Sequence, residues 1–238
     1  MNDTTLLKRA GLAVLFIAAV LALLAWGLGP DTLRARRVDL IYLGQQHLLL
    51  VSGSMLAALL VGIPSGILLS RPFARRWAEY AMQIFNIGNT VPPLAVLALA
   101  MVIVGIGDRP AMVALFFASL LPIVRNTYSG LNAVPGALLE AANGIGMTKM
   151  QRLWQVELPN ASPVIFSGVR IATAINVGTA PLAFLIGASS YGELIFPGIY
   201  LNDFPTLILG AAATALFALI LDLLLAGFAR LILPHTAA

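Results

Sequence analysis

Very few side chains in this sequence could carry out chemistry, and their types exclude most enzyme mechanisms. The chain has no Cys, so it has neither a thiolate nucleophile nor a Cys-ligated metal site. Its two histidines, His47 and His235, lie far apart in the sequence, which argues against a paired His ligand set. No Gly-x-x-x-x-Gly-Lys-Ser/Thr motif occurs, so a P-loop for ATP phosphates is absent. We therefore expect no catalytic residue, metal site or cofactor on this chain.

Polar side chains inside otherwise apolar stretches are the remaining candidates for function. Asn89 and Thr90 lie just before two prolines in one such stretch, and Thr173, Asn176 and Thr179 follow one another at intervals of three in another. Residues three apart lie on roughly one face of a helix, and polar groups inside a membrane often mark a solute path. We predict that these residues line a translocation path, with hydrogen bonding between packed helices as the alternative for each.

One segment between two apolar stretches is too apolar to be a free loop. Residues 134–159 read VPGALLEAANGIGMTKMQRLWQVELP. A run of helix formers is followed by two glycines, and Thr148 with Gln151 then forms a capping-box pattern. We therefore predict two short helices joined by a glycine turn, the second ending near Val156. Because neither helix is long enough to cross a bilayer, the pair should dock on another surface.

The same segment resembles the EAA signature of the permeases of bacterial ATP-binding-cassette importers. The signature has the spacing E-A-A, three residues, G, nine residues, and I-x-L-P. The matching residues here are Glu140, Ala141, Ala142, Gly146, Val156, Leu158 and Pro159. The departure is Val156, which stands where the family usually has Ile. The resemblance implies that these residues form a pair of cytoplasmic coupling helices that sit in a cleft of a partner ATPase.

Three further stretches are similar to one branch of that family, the permeases for quaternary-ammonium osmoprotectants. They are residues 89–95, 121–128 and 168–180, and the similarity covers about residues 48–233. Residues 187–192 depart from it, because they read Gly-Ala-Ser-Ser-Tyr-Gly where that branch often has Gly-Ala-Gly-Gly-Leu-Gly. The resemblance implies the type I importer fold of the MetI kind and a cargo such as glycine betaine, choline or carnitine. Another cargo such as an amino acid is the alternative, and a stand-alone secondary transporter is a weaker one.

The resemblance also implies partners for this chain. A cytosolic ATPase dimer would bind ATP and Mg²⁺, a second permease copy or a paralogue would complete the pore, and an extracytoplasmic binding protein would deliver the solute. The chain is then a transport subunit in a lipid bilayer, not an enzyme. Its 14 Lys and Arg outnumber 10 Asp and Glu, but they are spread along the sequence and give no reason to expect a nucleic-acid partner.

The elements that must position these residues are membrane helices. Of the 238 residues, 60% are hydrophobic and only 10% are charged, which is too few charges to cover a water-soluble protein of this size. Apolar runs of about 20 residues mark helices that span a bilayer. We predict an all-α, polytopic membrane protein with about six spans, five being the alternative. The spans are residues 10–29, 48–69, 80–107, 110–122, 163–186 and 204–233.

Three details of these spans are also predicted. Arg125 is expected to end the fourth span early. Gly62 and Gly66, on either side of Pro64, predict a closely packed second span. Arg170 and Asp222 lie inside the fifth and sixth spans, where they should either pair or extend toward the interface.

Orientation follows from the basic residues in the loops. Nine Lys and Arg fall on the side of the N-terminus and four on the other side, which favours an N-in, C-in arrangement in the bacterial inner membrane. The weak point is the cluster Arg34, Arg36 and Arg37, which falls on the outer side. We predict two parts: residues 1–47, an N-terminal span with a periplasmic loop, and residues 48–233, the permease core.

Overall fold

The computed structural model describes residue 22 and residues 31–232, and every regular element in this part of the chain is helical. The helices are α1 (Arg37–Leu69), α2 (Arg75–Thr90), α3 (Pro93–Val104), α4 (Asp108–Asn132), α5 (Gly136–Gly144), α6 (Lys149–Arg152), α7 (Leu158–Thr179), α8 (Gly192–Tyr200) and α9 (Phe204–Ile232). Short 3-10 turns cover Pro72–Ala74 and Ala180–Ile186, and a π turn covers Leu153–Glu157.

Within the described residues, four helical stretches are long and apolar enough to cross a membrane. They are Arg37–Leu69, Asp108–Asn132, Lys149–Ile186 and Phe204–Leu231. They correspond to the second, fourth, fifth and sixth predicted spans. The first predicted span, residues 10–29, lies outside the described residues except for residue 22. The prediction of an all-helical, polytopic membrane protein is confirmed.

The third predicted span, residues 80–107, is wrong as a single helix. α2 ends at Thr90, and Val91 is extended with φ −71° and ψ 125°. Pro92 follows with ψ 136°, and α3 begins at Pro93. A proline disfavours the helical conformation of the residue before it. Pro92 therefore restricts Val91, and Pro93 restricts Pro92 in the same way. α3 alone has 12 residues, which give about 18 Å of helix and do not cross a bilayer.

The prediction that Arg125 interrupts the fourth span is also wrong. α4 continues as one helix of 25 residues from Asp108 to Asn132, through both Pro122 and Arg125. Arg125 lies on the exposed side of α4. A long basic side chain can place its charge away from an apolar environment without any break in the backbone, so a single exposed arginine does not end a helix.

The coupling segment and the fifth span form one continuous run, whereas the sequence predicted a separate second short helix and a span that begins near Pro163. α6 passes through the π turn into α7, with the Leu158 N–H donating to the Leu153 carbonyl. The spacing of five residues in that hydrogen bond is typical of a π turn. Pro159 then occupies the first turn of α7, where a proline without an N–H is tolerated.

α4 lies at the centre of the bundle, in contact with α1, α3 and α7, while α9 packs on α7 and α8. Glycines allow α1 and α4 to approach closely. A Cβ at Gly62 would lie 2.7 Å from the Ile123 Cγ2, and a Cβ at Gly66 would lie 2.5 Å from the Thr127 Cβ. The predicted close packing around Pro64 is confirmed.

Residues 187–192, which depart from the osmoprotectant branch, are packed into the bundle. Ser190 is fully buried, and Tyr191 is 9% exposed. The Tyr191 ring lies against His47 of α1, with centroids 5.1 Å apart, and against Phe217 of α9, with centroids 6.3 Å apart. The Tyr191 ring, which stands where that branch often has Leu, therefore contacts both α1 and α9.

Candidate functional site

The turn between α5 and α6 depends on one glycine. Gly146 has φ +79°, in the left-handed region that favours glycine, and its Cβ position faces open space. Gly144, two residues earlier, has no such backbone restriction and also faces open space. The predicted glycine turn is present, and Gly146 is the residue that makes it.

The capping box predicted at the start of α6 is confirmed. The Gln151 N–H donates to the Thr148 Oγ1 at 3.3 Å, and the Thr148 N–H donates to the Gln151 Oε1 at 2.8 Å. Reciprocal bonds of this kind satisfy two N–H groups that have no partner in the first turn. They fix the orientation of a helix of only four residues.

α5 and α6 present an apolar surface that nothing in the described chain covers. Large side chains on it are well exposed: Leu138, Ile145, Met150 and Trp154. Glu140, Ala141 and Gly146 of the predicted coupling set lie on the same exposed stretch. Contiguous exposed apolar side chains with a charged neighbour are typical of a protein docking site. We name this surface, which consists of the exposed side chains within residues 137–154, the coupling face.

The rest of the predicted coupling set supports that face from behind. Ala142 is 3% exposed, and Val156, Leu158 and Pro159 are half-buried. Leu158 packs with Leu131, Val134 and Ala161 in a small core between α4 and α7. The seven residues therefore divide into an exposed group on the coupling face and a packed group that anchors it.

The structure separates the predicted path residues. Thr173 is buried and donates to the Val169 carbonyl of its own helix at 2.9 Å. Thr179 is exposed and donates to the Ile175 carbonyl at 2.7 Å. Thr90 is exposed at the end of α2, and the Asn89 side chain lies outside the described part.

Asn176 is the centre of a buried polar cluster that joins three helices. Its Nδ2 donates to the Ser54 Oγ of α1 at 2.9 Å and to the Ser119 Oγ of α4 at 2.7 Å. The exposed fractions of Ser54, Ser119 and Asn176 are 1%, 0% and 0%. This geometry matches the alternative of interhelical hydrogen bonding. Sequence reasoning missed the two serines, because a serine in an apolar helix ordinarily bonds its own backbone, and both also do so here.

Thr179 instead opens onto a cavity of about 400 Å³ between α2, α3, α4 and α7. Its wall is mostly apolar and includes Phe85, Gly88 and Phe117. The break between α2 and α3 shapes one side of it, since Val91 and Pro93 also line the cavity. Among the predicted path residues whose side chains the structure describes, Thr179 lines this space.

Arg170 and Asp222 form a bidentate ion pair between α7 and α9. The Arg170 Nε donates to the Asp222 Oδ1 at 2.8 Å, and its NH2 donates to the Asp222 Oδ2 at 2.6 Å. Of the two outcomes predicted for these residues, pairing across spans is confirmed.

The sequence of this chain matches a known protein family. The family model described as "Binding-protein-dependent transport system inner membrane component" matches residues 62–237, which include the coupling face, the ion pair, and Ser119 and Asn176 of the polar cluster. The chain belongs to this family. The predicted family resemblance is thereby confirmed, and the permease is a transport component.

Relatives of this permease are described as osmoprotectant permeases. It is 76% identical over 236 residues to the osmoprotectant import permease protein OsmY of Salmonella typhimurium. The aligned region covers 99% of this chain and 100% of OsmY. It is 42% identical over 186 residues to OsmW of the same organism, covering 76% of this chain and 85% of that one. It is 39% identical over 196 residues to the choline permease protein OpuBB of Bacillus subtilis, covering 82% and 89%.

A solved structure gives the fold. The permease superposes on a chain of the MetNI methionine ABC transporter, crystallised in an inward-facing conformation, with a TM-score of 0.70 and 25% identity. The match covers 84% of this chain and 96% of that one. The predicted MetI-type fold is confirmed, and the permease is a multi-pass membrane protein.

Proposed function

We propose that this permease is the membrane-spanning subunit of an ATP-driven importer for a quaternary-ammonium osmoprotectant, such as glycine betaine, choline or carnitine. The observation that carries the proposal is the 76% identity to OsmY over almost the whole chain. OsmW and OpuBB support the same class of cargo at lower identity. Transport proceeds by alternating access, and the free energy comes from a separate ATPase.

The coupling face supplies the contact with that ATPase. A cytosolic ATPase dimer binds ATP and Mg²⁺ and receives α5 and α6 in a cleft. Exposed Leu138, Ile145 and Trp154 provide apolar contact, and the Glu140 carboxylate accepts a charge-assisted hydrogen bond from a basic group. This assignment places α5 and α6 in the cytoplasm, with the N- and C-termini on the same side.

A complete pore requires a second permease chain, either a copy or a paralogue. The cavity beside Thr179, between α2, α3, α4 and α7, supports a path at the contact with such a second chain. We retain Asn89, Thr90 and Thr179 as path residues, with Thr173 and Asn176 behind them. Residues 1–47 supply the N-terminal span, a periplasmic loop before α1, and the first residues of α1, which begins at Arg37. Residues 48–233 form the core in the bacterial inner membrane, and an extracytoplasmic binding protein delivers the solute.

Two pairs of substitutions, each a test with a matched control, examine the coupling face. Glu140→Ala should weaken binding of the ATPase about tenfold, as loss of a charged hydrogen bond does. Its control, Glu79→Ala, removes an exposed carboxylate from α2 and should leave ATPase binding unchanged.

Gly146→Ala should also weaken binding of the ATPase, because it strains the turn at φ +79°. Gly144→Ala should have a much smaller effect on ATPase binding, because Gly144 has no such backbone restriction. The measurements are ATPase retained on the affinity-tagged permease in detergent and ATP-dependent uptake in proteoliposomes. Normal binding and uptake in Glu140→Ala and Gly146→Ala would exclude the coupling role.

The cargo is tested separately. Proteoliposomes that contain the permease, its ATPase and its binding protein should take up radiolabelled glycine betaine, choline or carnitine only with ATP inside. Uptake of methionine in place of all three would move the permease to another cargo class, and uptake without ATP would assign it to secondary transport.

A further inference from the structure

Glu157 is an acidic side chain buried at the point where the coupling segment becomes α7. It is 4% exposed. Its Oε2 accepts a hydrogen bond from the Arg71 NH2 at 2.6 Å, and its Oε1 accepts one from the Arg152 Nε at 2.8 Å. Both carboxylate oxygens thus have a cationic partner. A buried charge that loses its partner is strongly unfavourable, so this arrangement holds its members together.

The two arginines belong to different elements. Arg71 follows α1, and its Nε also donates to the Ile67 carbonyl in the last turn of that helix at 3.2 Å. Arg152 ends α6, and its NH1 donates to the Asn143 Oδ1 of α5 at 2.9 Å. We call Arg71, Asn143, Arg152 and Glu157 the clamp. It ties the end of α1 to both coupling helices across 86 residues of chain.

The π turn gives Glu157 this position. Leu153–Glu157 forms a wider turn than an α-helix, closed by the bond from the Leu158 N–H to the Leu153 carbonyl. Such turns are frequent at functional sites, where they redirect a side chain. Trp154 on the same turn is exposed on the coupling face, while Glu157 points into the protein.

We propose that the clamp is a mechanical link in transport and that Glu157 and Arg71 are its positioning residues. This inference rests on the proposed coupling role of α5 and α6. A displacement of those helices by the ATPase reaches α7 through the continuous backbone. The clamp passes the same displacement to α1, so α1 and α7 move as one unit and their shared contact between Ser54 and Asn176 stays intact.

Arg71→Gln tests the link because it releases α1 and leaves the Glu157–Arg152 pair within the coupling segment. We expect the variant to retain its ATPase and to hydrolyse ATP, but to move about tenfold less solute per ATP, a coupling loss in the usual range. Arg76→Gln is the matched control, since Arg76 is exposed near the same end of α1 and forms no ion pair with the described residues. Arg71→Lys should restore much of the ratio.

The ratio of solute moved to ATP hydrolysed separates the two proposals. If the ATPase fails to bind the unaltered permease, the proposed coupling role is wrong. If the ATPase binds and Arg71→Gln matches Arg76→Gln in solute per ATP, the coupling role stands and the clamp is not a link.

A distance measurement tests the clamp independently of activity. The chain has no Cys, so Phe73→Cys and Gln155→Cys, both at exposed positions, can carry a pair of spin labels without background. With the clamp intact, the distance between the labels should be the same in the nucleotide-free and the ATP-trapped complex. In the Arg71→Gln background it should change on trapping. An equal change in both backgrounds would overturn the proposal.

Discussion

Gly66→Ala should destabilise the folded permease by about 2–3 kcal/mol, although alanine is the better helix former. A Cβ at this position would lie 2.5 Å from the Thr127 Cβ and 2.9 Å from the Val124 carbonyl oxygen of α4. Real Cβ atoms do not approach other heavy atoms so closely, and a backbone oxygen cannot turn away as the end of a long side chain can. α1 and α4 must therefore move apart. Thermal unfolding of the purified permease in detergent measures the change.

Gly227→Ala is the control for this prediction. Gly227 lies inside α9, another long apolar helix, and a Cβ there would meet nothing within 4 Å. Here the propensity of alanine acts alone, and we expect equal or slightly higher stability. Equal stability of both variants would mean that α1 and α4 are not packed as closely as the structure places them.

The features that the sequence predicted well are those whose cause lies within a few neighbouring residues. The capping box needs only Thr148 and Gln151, three residues apart, and the glycine turn needs only Gly146. Close packing at Gly62 and Gly66 could be predicted because a glycine in an apolar helix usually marks a close contact with another helix. Local chemistry of this kind does not depend on which element lies opposite.

The features that the sequence could not predict depend on contacts between distant parts of the chain. Asn176 has the right spacing to line a path with Thr173 and Thr179, yet the approach of Ser54 and Ser119 turns it into a buried connection. Helical spacing indicates a shared face but not what covers it.

Helix ends were mispredicted where two local rules competed. The length of apolar sequence around Val91 favoured one span, and the restriction by Pro92 prevailed. At Pro159 the opposite occurred: the π turn accommodates a residue that usually marks a helix boundary, and the helical run continues. A proline therefore ends the helix before Pro92 but not at Pro159.

The ion pair of Arg170 and Asp222 leads to the second large effect. Asp222→Ala should lower the stability of the permease by about 3 kcal/mol, because Arg170 then remains as an unpaired cation in an apolar span. Parts of both side chains are exposed in the isolated chain, but both residues lie in helical stretches long and apolar enough to cross a membrane, and a bilayer does not screen charge as water does. Folded yield and unfolding in detergent and in lipid nanodiscs check the prediction, with the larger loss expected in lipid.

The double variant Arg170→Met with Asp222→Leu distinguishes a stabilising pair from a merely tolerated one. Removing both charges takes away the attraction and also the cost of keeping two ions in the bilayer, so stability should return to that of the unaltered permease or exceed it. If the double variant is as unstable as Asp222→Ala, the bidentate geometry itself holds α7 against α9. If it is stable but imports no solute, the charges are retained for transport, since packing alone would already be satisfied.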